Sequence, residues 1–281
     1  MVFQKTLQAP IVMQGIGVHA GIASTIELRP APENTGIVFI NIHNLKQRIR
    51  IGSVVPDAAM HATVIKTDGW HVSTIEHLMA ALWAFGITNL EILVTGTEVP
   101  ILDGSALLFC HEIRRVGVAQ QQQHAITISP KEDVVLADDR GRSLVIKPAR
   151  EGLSITYIAD FKSPLVGERT FALGLTTECF EQVVAPARTF GFLDQLPLLR
   201  QYNLARGTSL GNTLVIGDDM INPMRLPGEC IRHKMLDLIG DMGLLGVSLV
   251  ANVVATKTGH DFNRLLVKHY KEHPALWTVI I

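Results

Sequence analysis

The 281-residue chain is short of cysteine, short of charge and without long apolar runs, and each shortage excludes a class of protein. Its three cysteines, Cys110, Cys179 and Cys230, are odd in number and lack Cys-x-x-Cys spacing. That pattern speaks against a disulfide framework and predicts free thiols in a reducing compartment. Only 18% of residues are charged against 47% hydrophobic, which excludes a disordered chain and predicts a well-buried globular one. The net charge of -1 comes with no Lys/Arg block, so neither nucleic acid nor an anionic membrane is expected as the main partner. Residues 1–6 offer no apolar run suited to a signal peptide. The most apolar segment, residues 244–255, is interrupted by Ser248 and Asn252 and is too short to span a bilayer. The expectation is a soluble, cytoplasmic protein without stable membrane insertion.

What is present is organised around residues 228–242, which read Gly-Glu-Cys-Ile-Arg-His-Lys-Met-Leu-Asp-Leu-Ile-Gly-Asp-Met. As a helix, this segment sets His233, Asp237 and Asp241 on one face, four residues apart. Met235, Leu236, Leu238, Ile239 and Met242 fall on the other side, an apolar stripe suited to packing on a sheet. His and Asp one turn apart project their donors in the same direction and can bind one divalent cation. A solvated polar face fits the same spacing equally well, so the decision falls to the rest of the chain.

A length of 281 residues suits two domains of ordinary size. The first hundred residues read as strands punctuated by Pro and Gly, at 25–29, 37–40, 48–55 and 62–66. A helix is predicted over 73–85, stopped by Gly86, then a strand over 89–95 and a second helix from about 105 to 115. Gln120, Gln121, Gln122, Gln123 and His124 form the one low-complexity run, read as a linker at 120–124 between domains 1–119 and 125–281. After it the pattern restarts. Strands are expected at 125–128, 133–137, 143–148, 153–160 and 168–172, then a helix at 177–184 and an irregular apolar segment through 204. A strand at 213–216, the helix at 228–242, a strand at 247–256 and a last helix at 261–272 complete the reading. Two copies of one α+β unit are implied, although no residue-level repeat is visible.

Residues 73–78, Ser-Thr-Ile-Glu-His-Leu, fit a capping box, with Ser73 as N-cap and Glu76 three residues on. His77 beside it adds a second meaning. A histidine in a first helical turn sits at the positive end of the dipole, which disfavours imidazolium and leaves the neutral ring that ligates metal. His77, His233 and Asp237 then make three protein ligands with one position open, the catalytic pattern for zinc. Glu76, next to a ligand without being one, is placed to take a proton from water. His260 stands at the mouth of the last helix, where an exposed loop histidine is the plain alternative. If it faces the metal it stays protonated only beside a carboxylate, for which Asp241 is the candidate. An imidazolium there could stabilise an oxyanion and protonate a leaving amine.

Five segments, 73–78, 100–106 (Pro-Ile-Leu-Asp-Gly-Ser-Ala), 187–192 (Ala-Arg-Thr-Phe-Gly-Phe), 232–237 (Arg-His-Lys-Met-Leu-Asp) and 257–260 (Lys-Thr-Gly-His), occur in this order. With Gly15-Ile16-Gly17-Val18-His19 and Arg29-Pro30-Ala31, they resemble the zinc-dependent UDP-3-O-acyl-N-acetylglucosamine deacetylase family of lipid A synthesis, over residues 4 to 275. The resemblance implies an α+β fold of two similar domains, each a mainly antiparallel sheet with two helices, with the helices packed between the two sheets. It implies hydrolysis of the N-acetyl group of UDP-3-O-(3-hydroxyacyl)-N-acetylglucosamine, a small-molecule substrate, by a monomer. One zinc ion per chain, with Fe2+ as the other candidate, would be held by His77, His233 and Asp237. Glu76 would be the general base, and His260, supported by Asp241, the cationic group. Thr189 would hydrogen-bond the oxyanion. Lys234 would meet the diphosphate side, with Phe161, Phe190 and Phe192 beside the nucleotide sugar. Residues 192–210, rich in leucine, match the insert that forms the acyl passage; outside the resemblance those leucines read as ordinary core.

Two departures from the family bear on substrate contact. Residues 207–212 read Gly-Thr-Ser-Leu-Gly-Asn, with a side chain at Thr208 where a Gly-Gly-Ser loop is usual, which bears on acyl-chain length. Leu193-Asp194-Gln195 lacks the usual basic-then-acidic order after Phe192. A catalytically silent binder of nucleotide sugars or acyl chains is one competing reading, and the intact set Glu76, His77, His233, Asp237 and His260 speaks against it. A zinc amidohydrolase for another acylated amino sugar is the other.

Overall fold

Alternation of buried and exposed residues builds two sheets with the same strand order. The structure, a computed structural model, describes residues 2–57, 61–161, 163–166 and 169–280. Ser24, Ile26 and Leu28 point inward from Ala23–Pro30 while their neighbours are at least partly exposed, the period-two pattern that fixes register against one core. The first sheet runs Ile11–Ile16, Ala23–Pro30, Leu90–Val94, Ile37–Asn41, Arg48–Arg50. The second runs Val134–Ala137, Ser143–Pro148, Ala251–Thr256, Leu153–Ile158, Thr170–Gly174. Counted along the chain, both follow the order first, second, fifth, third, fourth. In both, the fifth strand pairs antiparallel to the second and parallel to the third. The expected duplication is therefore present in the topology, which needs only the burial alternation to be kept.

Six helices are described: α1 (Glu76–Ala84), α2 (Leu107–Val116), α3 (Thr177–Cys179), α4 (Leu196–Gln201), α5 (Glu229–Gly243) and α6 (His260–Glu272). In each unit one helix precedes the fifth strand (α1, α5) and one follows it (α2, α6). The two preceding helices pack on each other more extensively than any other pair of elements. Their crossing is close because α5 presents Gly240: a Cβ there would stand 2.1 Å from the carbonyl oxygen of Glu76. One apolar cluster runs through both units, holding Phe39, Ile92 and Leu82 with Leu236, Ile146 and Val253.

Several expectations need correction. Helix α1 begins at Glu76, not Ser73, and there is no capping box. Ser73 lies in the strand Trp70–Ser73 with its hydroxyl donated to the Thr97 carbonyl, and Thr74 turns through φ +57. The Thr74 hydroxyl donates to Glu98 Oε1 at 2.9 Å, and the same carboxylate receives the backbone N–H groups of His19 and Ala20. Glu98 thus anchors the turn that a side-chain cap would otherwise have fixed. The other end of α1 closes as a Schellman motif, with Gly86 N–H to Trp83 O, Ile87 N–H to Leu82 O and Gly86 at φ +69.

The glutamine run is not a loose connection. It belongs to the strand Val118–His124, paired with Phe3–Leu7, and Gln121 exchanges hydrogen bonds with Asn89 and the Ala31 carbonyl. Composition marked it as a linker because amide side chains are as much at home in a ladder as in water. The strand expected over 48–55 stops at Arg50, where the chain turns at Gly52 (φ +83) against the backbone of Leu245 and Gly246. The strand expected from 168 is Thr170–Gly174, and Glu168 lies outside the described residues. The helix expected over 177–184 is α3 followed by a π-turn at Phe180–Val184. Among the described residues no helix is long and apolar enough to cross a membrane.

Candidate active site

Helix α5 carries its polar face inward. His233, Asp237 and Asp241 are 3%, 4% and 2% exposed, so the reading of this face as solvated is excluded. Every residue of the helix except Arg232 and Lys234 is buried. A helix buried all round needs partners for each polar group. The Glu229 carboxylate, at its first turn, takes the Arg188 guanidinium at 2.8 Å and the backbone N–H groups of Arg188 and Arg225. Arg232 turns away to the Pro227 and Val183 carbonyls, whereas His233, Asp237 and Asp241 face α1 and the start of α6.

Across the close crossing at Gly240, α1 presents Glu76 and His77 in its first turn. His77 Nε2 lies 3.9 Å from Asp237 Oδ1, and His233 Nε2 lies 3.2 Å from the same oxygen. The two imidazoles stand at 75° with centroids 4.9 Å apart. One donor atom from each of His77, His233 and Asp237 falls within 4.8 Å of the others, a set that could hold a metal ion. His233 Nδ1 donates to the Ala187 carbonyl at 3.0 Å, which fixes the tautomer and leaves Nε2 as the donor to a ligand. His77 Nδ1 is buried with no hydrogen-bond partner among the described residues. Burial, then the neighbouring His233 ring, lowers the His77 pKa to about 3, and burial lowers that of His233 too. Both rings are held in the neutral form that binds metal. Two neutral imidazoles and a carboxylate are a borderline donor set suited to a divalent transition metal.

His260, the first residue of α6, is driven the other way. Burial opposes its charge, but Asp241, then Glu76 and Asp237, outweigh it and raise its pKa to about 10. Its Nδ1 is 2.9 Å from Asp241 Oδ2, and its Nε2 is 3.8 Å from Glu76 Oε1 and 3.9 Å from Asp237 Oδ2. Burial, aided by Asp241 and Asp237 and opposed by His260, raises Glu76 to about 7. A carboxyl group that changes charge near neutrality and an imidazolium therefore stand 3.8 Å apart, the pairing that acid–base chemistry needs.

A cavity of about 530 Å³ opens on this cluster and is lined by Glu76, His77, His233, Asp237, His260 and Thr189 among others. Lys234 reaches it with Nζ 3.1 Å from Asp237 Oδ2, and burial, which opposes its charge, is outweighed by Asp237 together with Tyr157 and Asp241, so its pKa is raised. Phe190 packs 6.1 Å from the His233 ring and Phe192 a further 6.2 Å on, and both line the cavity. Phe161 is buried against Phe190 at 5.8 Å and supports that ring without lining the cavity. The leucines of 192–210 are not core: none of α4 is buried, Leu198 is 56% exposed, and Leu193, Leu196 and Leu199 line the cavity. Thr208 also lines it, with its hydroxyl donated to the Ala205 carbonyl.

Sequence reasoning gave no role to Thr63, His19, His61 or Asn263. His19 and His61 line the cavity, and Asn263 Nδ2 donates to Asp241 Oδ2 at 2.8 Å. His19 lies in a segment that matched the family; the other three sit in no motif that spacing could have singled out.

The model of the family described as LpxC, UDP-3-O-acyl N-acetylglycosamine deacetylase, matches residues 4–272. The chain is 40% identical to the UDP-3-O-acyl-N-acetylglucosamine deacetylase of Syntrophotalea carbinolica, over 100% of this chain and 91% of the relative. Similar enzymes of the same name in Myxococcus xanthus (38%, over 99% of this chain and 89% of the relative) and Chromobacterium violaceum (36%, over 99% and 93%) span it as fully. Identity at this level along the whole length, with the family's model matching nearly all of it, makes the chain a member of the LpxC deacetylase family.

Proposed function

We propose that the protein hydrolyses the acetamide of UDP-3-O-(3-hydroxyacyl)-N-acetylglucosamine, releasing acetate and leaving the 2-amine, as the committed step of lipid A synthesis. The observation that carries this reading is the convergence of His77, His233 and Asp237 on a cavity in a chain whose relatives bear that deacetylase's name. For this purpose residues 1–119 supply Glu76 and His77, and residues 125–281 supply the rest. The free thiols of Cys110, Cys179 and Cys230 suit a reducing, cytoplasmic setting, and a monomer suffices because one chain holds every group named.

We take zinc as the ion, one per chain, on His77, His233 and Asp237. When bound, it polarises the acetamide carbonyl and makes water acidic enough to be deprotonated near neutral pH. Glu76 takes that proton through Oε1 as the water oxygen adds to the carbonyl carbon. The His260 imidazolium, held by Asp241, and the Thr189 hydroxyl stabilise the negative charge on the carbonyl oxygen. The C–N bond then breaks and the amine leaves with a proton from the Glu76–His260 pair. Lys234 suits the diphosphate, and Phe190 and Phe192 flank the sugar, with Phe161 holding Phe190 in place. The exposed leucines beyond Phe192 suit an acyl chain.

The test is incubation of the purified protein with the acylated UDP sugar, scoring acetate with and without a chelator and after zinc is restored. Acetate release that chelation abolishes and zinc restores is the expected result; release unaffected by metal depletion would remove the metal from the reading. The Thr208 side chain favours one alternative, a different acylated amino sugar, which a panel of acyl lengths in the same assay would reveal.

A further inference from the structure

The groups that handle protons in this reading sit on three different helices, and one residue on none of them touches both parts. Thr63, 3% exposed, lies just ahead of the strand Val64–Thr67. Its backbone N–H donates to Glu76 Oε2 at 3.0 Å, which leaves Oε1 turned toward His260. Its hydroxyl donates to Asp241 Oδ1 and lies 3.1 Å from His260 Nδ1. A hydroxyl has one proton to give and two lone pairs to offer. With the proton on Asp241, a lone pair of Oγ1 faces the Nδ1–H of His260, which Asp241 Oδ2 also accepts at 2.9 Å. The ring is thereby held from two sides with Nε2 directed inward. A threonine that only satisfied its own hydroxyl would bond a nearby carbonyl; this one reaches a residue 178 positions away in the other half of the molecule. Thr63 does not line the cavity, so any influence on the reaction passes through the groups it holds.

We propose that Thr63 is a positioning residue, which ties Glu76 to the Asp241–His260 pair so that base and cation meet one substrate atom from fixed directions. The proposal rests on the reading of Glu76 and His260 as the proton-handling pair. Hydrogen-bond partners of this kind behind a metal-site group typically matter 10- to 100-fold.

The test compares Thr63→Val, which removes the hydroxyl at constant shape, with Thr63→Ser, which keeps it, in the zinc-loaded full-length enzyme. Thr63→Val should lower kcat by about 10- to 100-fold with KM and zinc content unchanged, while Thr63→Ser stays within about threefold of the parent. Because the hydroxyl acts through Asp241, Thr63→Val added to Asp241→Asn should cost little more than Asp241→Asn alone. Parental kcat in Thr63→Val, a Thr63→Ser variant as slow as Thr63→Val, or fully multiplicative losses in the double variant would each overturn it. Should Thr63→Val fold poorly, the Ser comparison and the cycle with Thr63→Ala in its place decide by the same criteria. Full activity in Glu76→Gln and His260→Gln would instead sink the underlying pair assignment, an outcome read from different variants.

Discussion

His77 and His260 each stand in the first turn of a helix that flanks the fifth strand of its unit, but on opposite sides of that strand, α1 before it and α6 after it. Both are largely buried and both face the positive end of a helix dipole, so the same backbone disfavours imidazolium at each. Yet burial and the His233 ring hold His77 neutral, with a pKa near 3, whereas His260, against its own burial, is raised to about 10 by Asp241. Asp241 at 2.9 Å, together with Glu76 and Asp237, outweighs the desolvation that opposes the charge of His260. The lesson is that two helix starts with the same dipole hold their histidines in opposite charge states, and the groups packed beside each ring set which.

Removing a ligand breaks the comparison most severely. His77→Ala and His233→Ala should each lose stoichiometric metal by elemental analysis and, with it, turnover; a variant that keeps a full equivalent of zinc would contradict the ligand assignment. Glu76→Ala comes next: it should retain zinc and lose about 10²- to 10⁴-fold in kcat, and undiminished activity would remove it as the base.

The pH profile sharpens the same comparison. With Glu76 as the proposed base, activity should rise with pH as it deprotonates, through a limb at or below about 7. With His260 as the proposed cation, it should fall again as that proton is lost, through a limb at or below about 10. Both limbs lie at or below those values because a bound cation favours carboxylate and disfavours imidazolium. Asp241→Asn should move the alkaline limb toward the ordinary histidine range, making His260 resemble His77; an unmoved limb would show that Asp241 does not set it.

How far the site was legible follows from what kind of signal each residue leaves. His233, Asp237 and Asp241 announced themselves by helical spacing, because i, i+4 positions must share a face. Glu76 and His77 were legible as a helix start, though for a wrong reason: the capping box is absent, and Glu98, distant in sequence, fixes the turn instead. Thr63 and Asn263 left no trace, since a buried hydroxyl or amide earns its role from a partner that only the fold supplies. The duplicated strand order was legible as an alternation of strands and helices but not as a repeat. The glutamine strand was missed because composition does not distinguish a solvated amide from a paired one.

Gly240 sets the close crossing of α5 on α1, and it carries a smaller effect read as stability. A Cβ at this position meets the Glu76 carbonyl oxygen at 2.1 Å, a backbone atom that cannot turn aside. Gly240→Ala should therefore push α5 from α1 and lower stability by about 1–3 kcal/mol, while displacing Glu76 and His77 from Asp237. A parental melting temperature would mean that the crossing is looser than this contact requires.

The smallest effect is expected on α4, whose residues are not buried, and it separates the buried part of the cavity lining from the exposed part. Leu198 and Tyr202 are 56% and 63% exposed on and just after α4, with no share in the core. Leu198→Ser or Tyr202→Ser should leave stability within about 0.5 kcal/mol, as exposed positions away from special features do. If this segment takes the acyl chain, Leu199→Ala, whose side chain lines the cavity, should raise KM for a long-chain substrate while leaving kcat and zinc content alone. Equal KM for long and short acyl chains in that variant would detach α4 from substrate binding and leave the discrimination to the aromatic pair Phe190 and Phe192, which leads from His233.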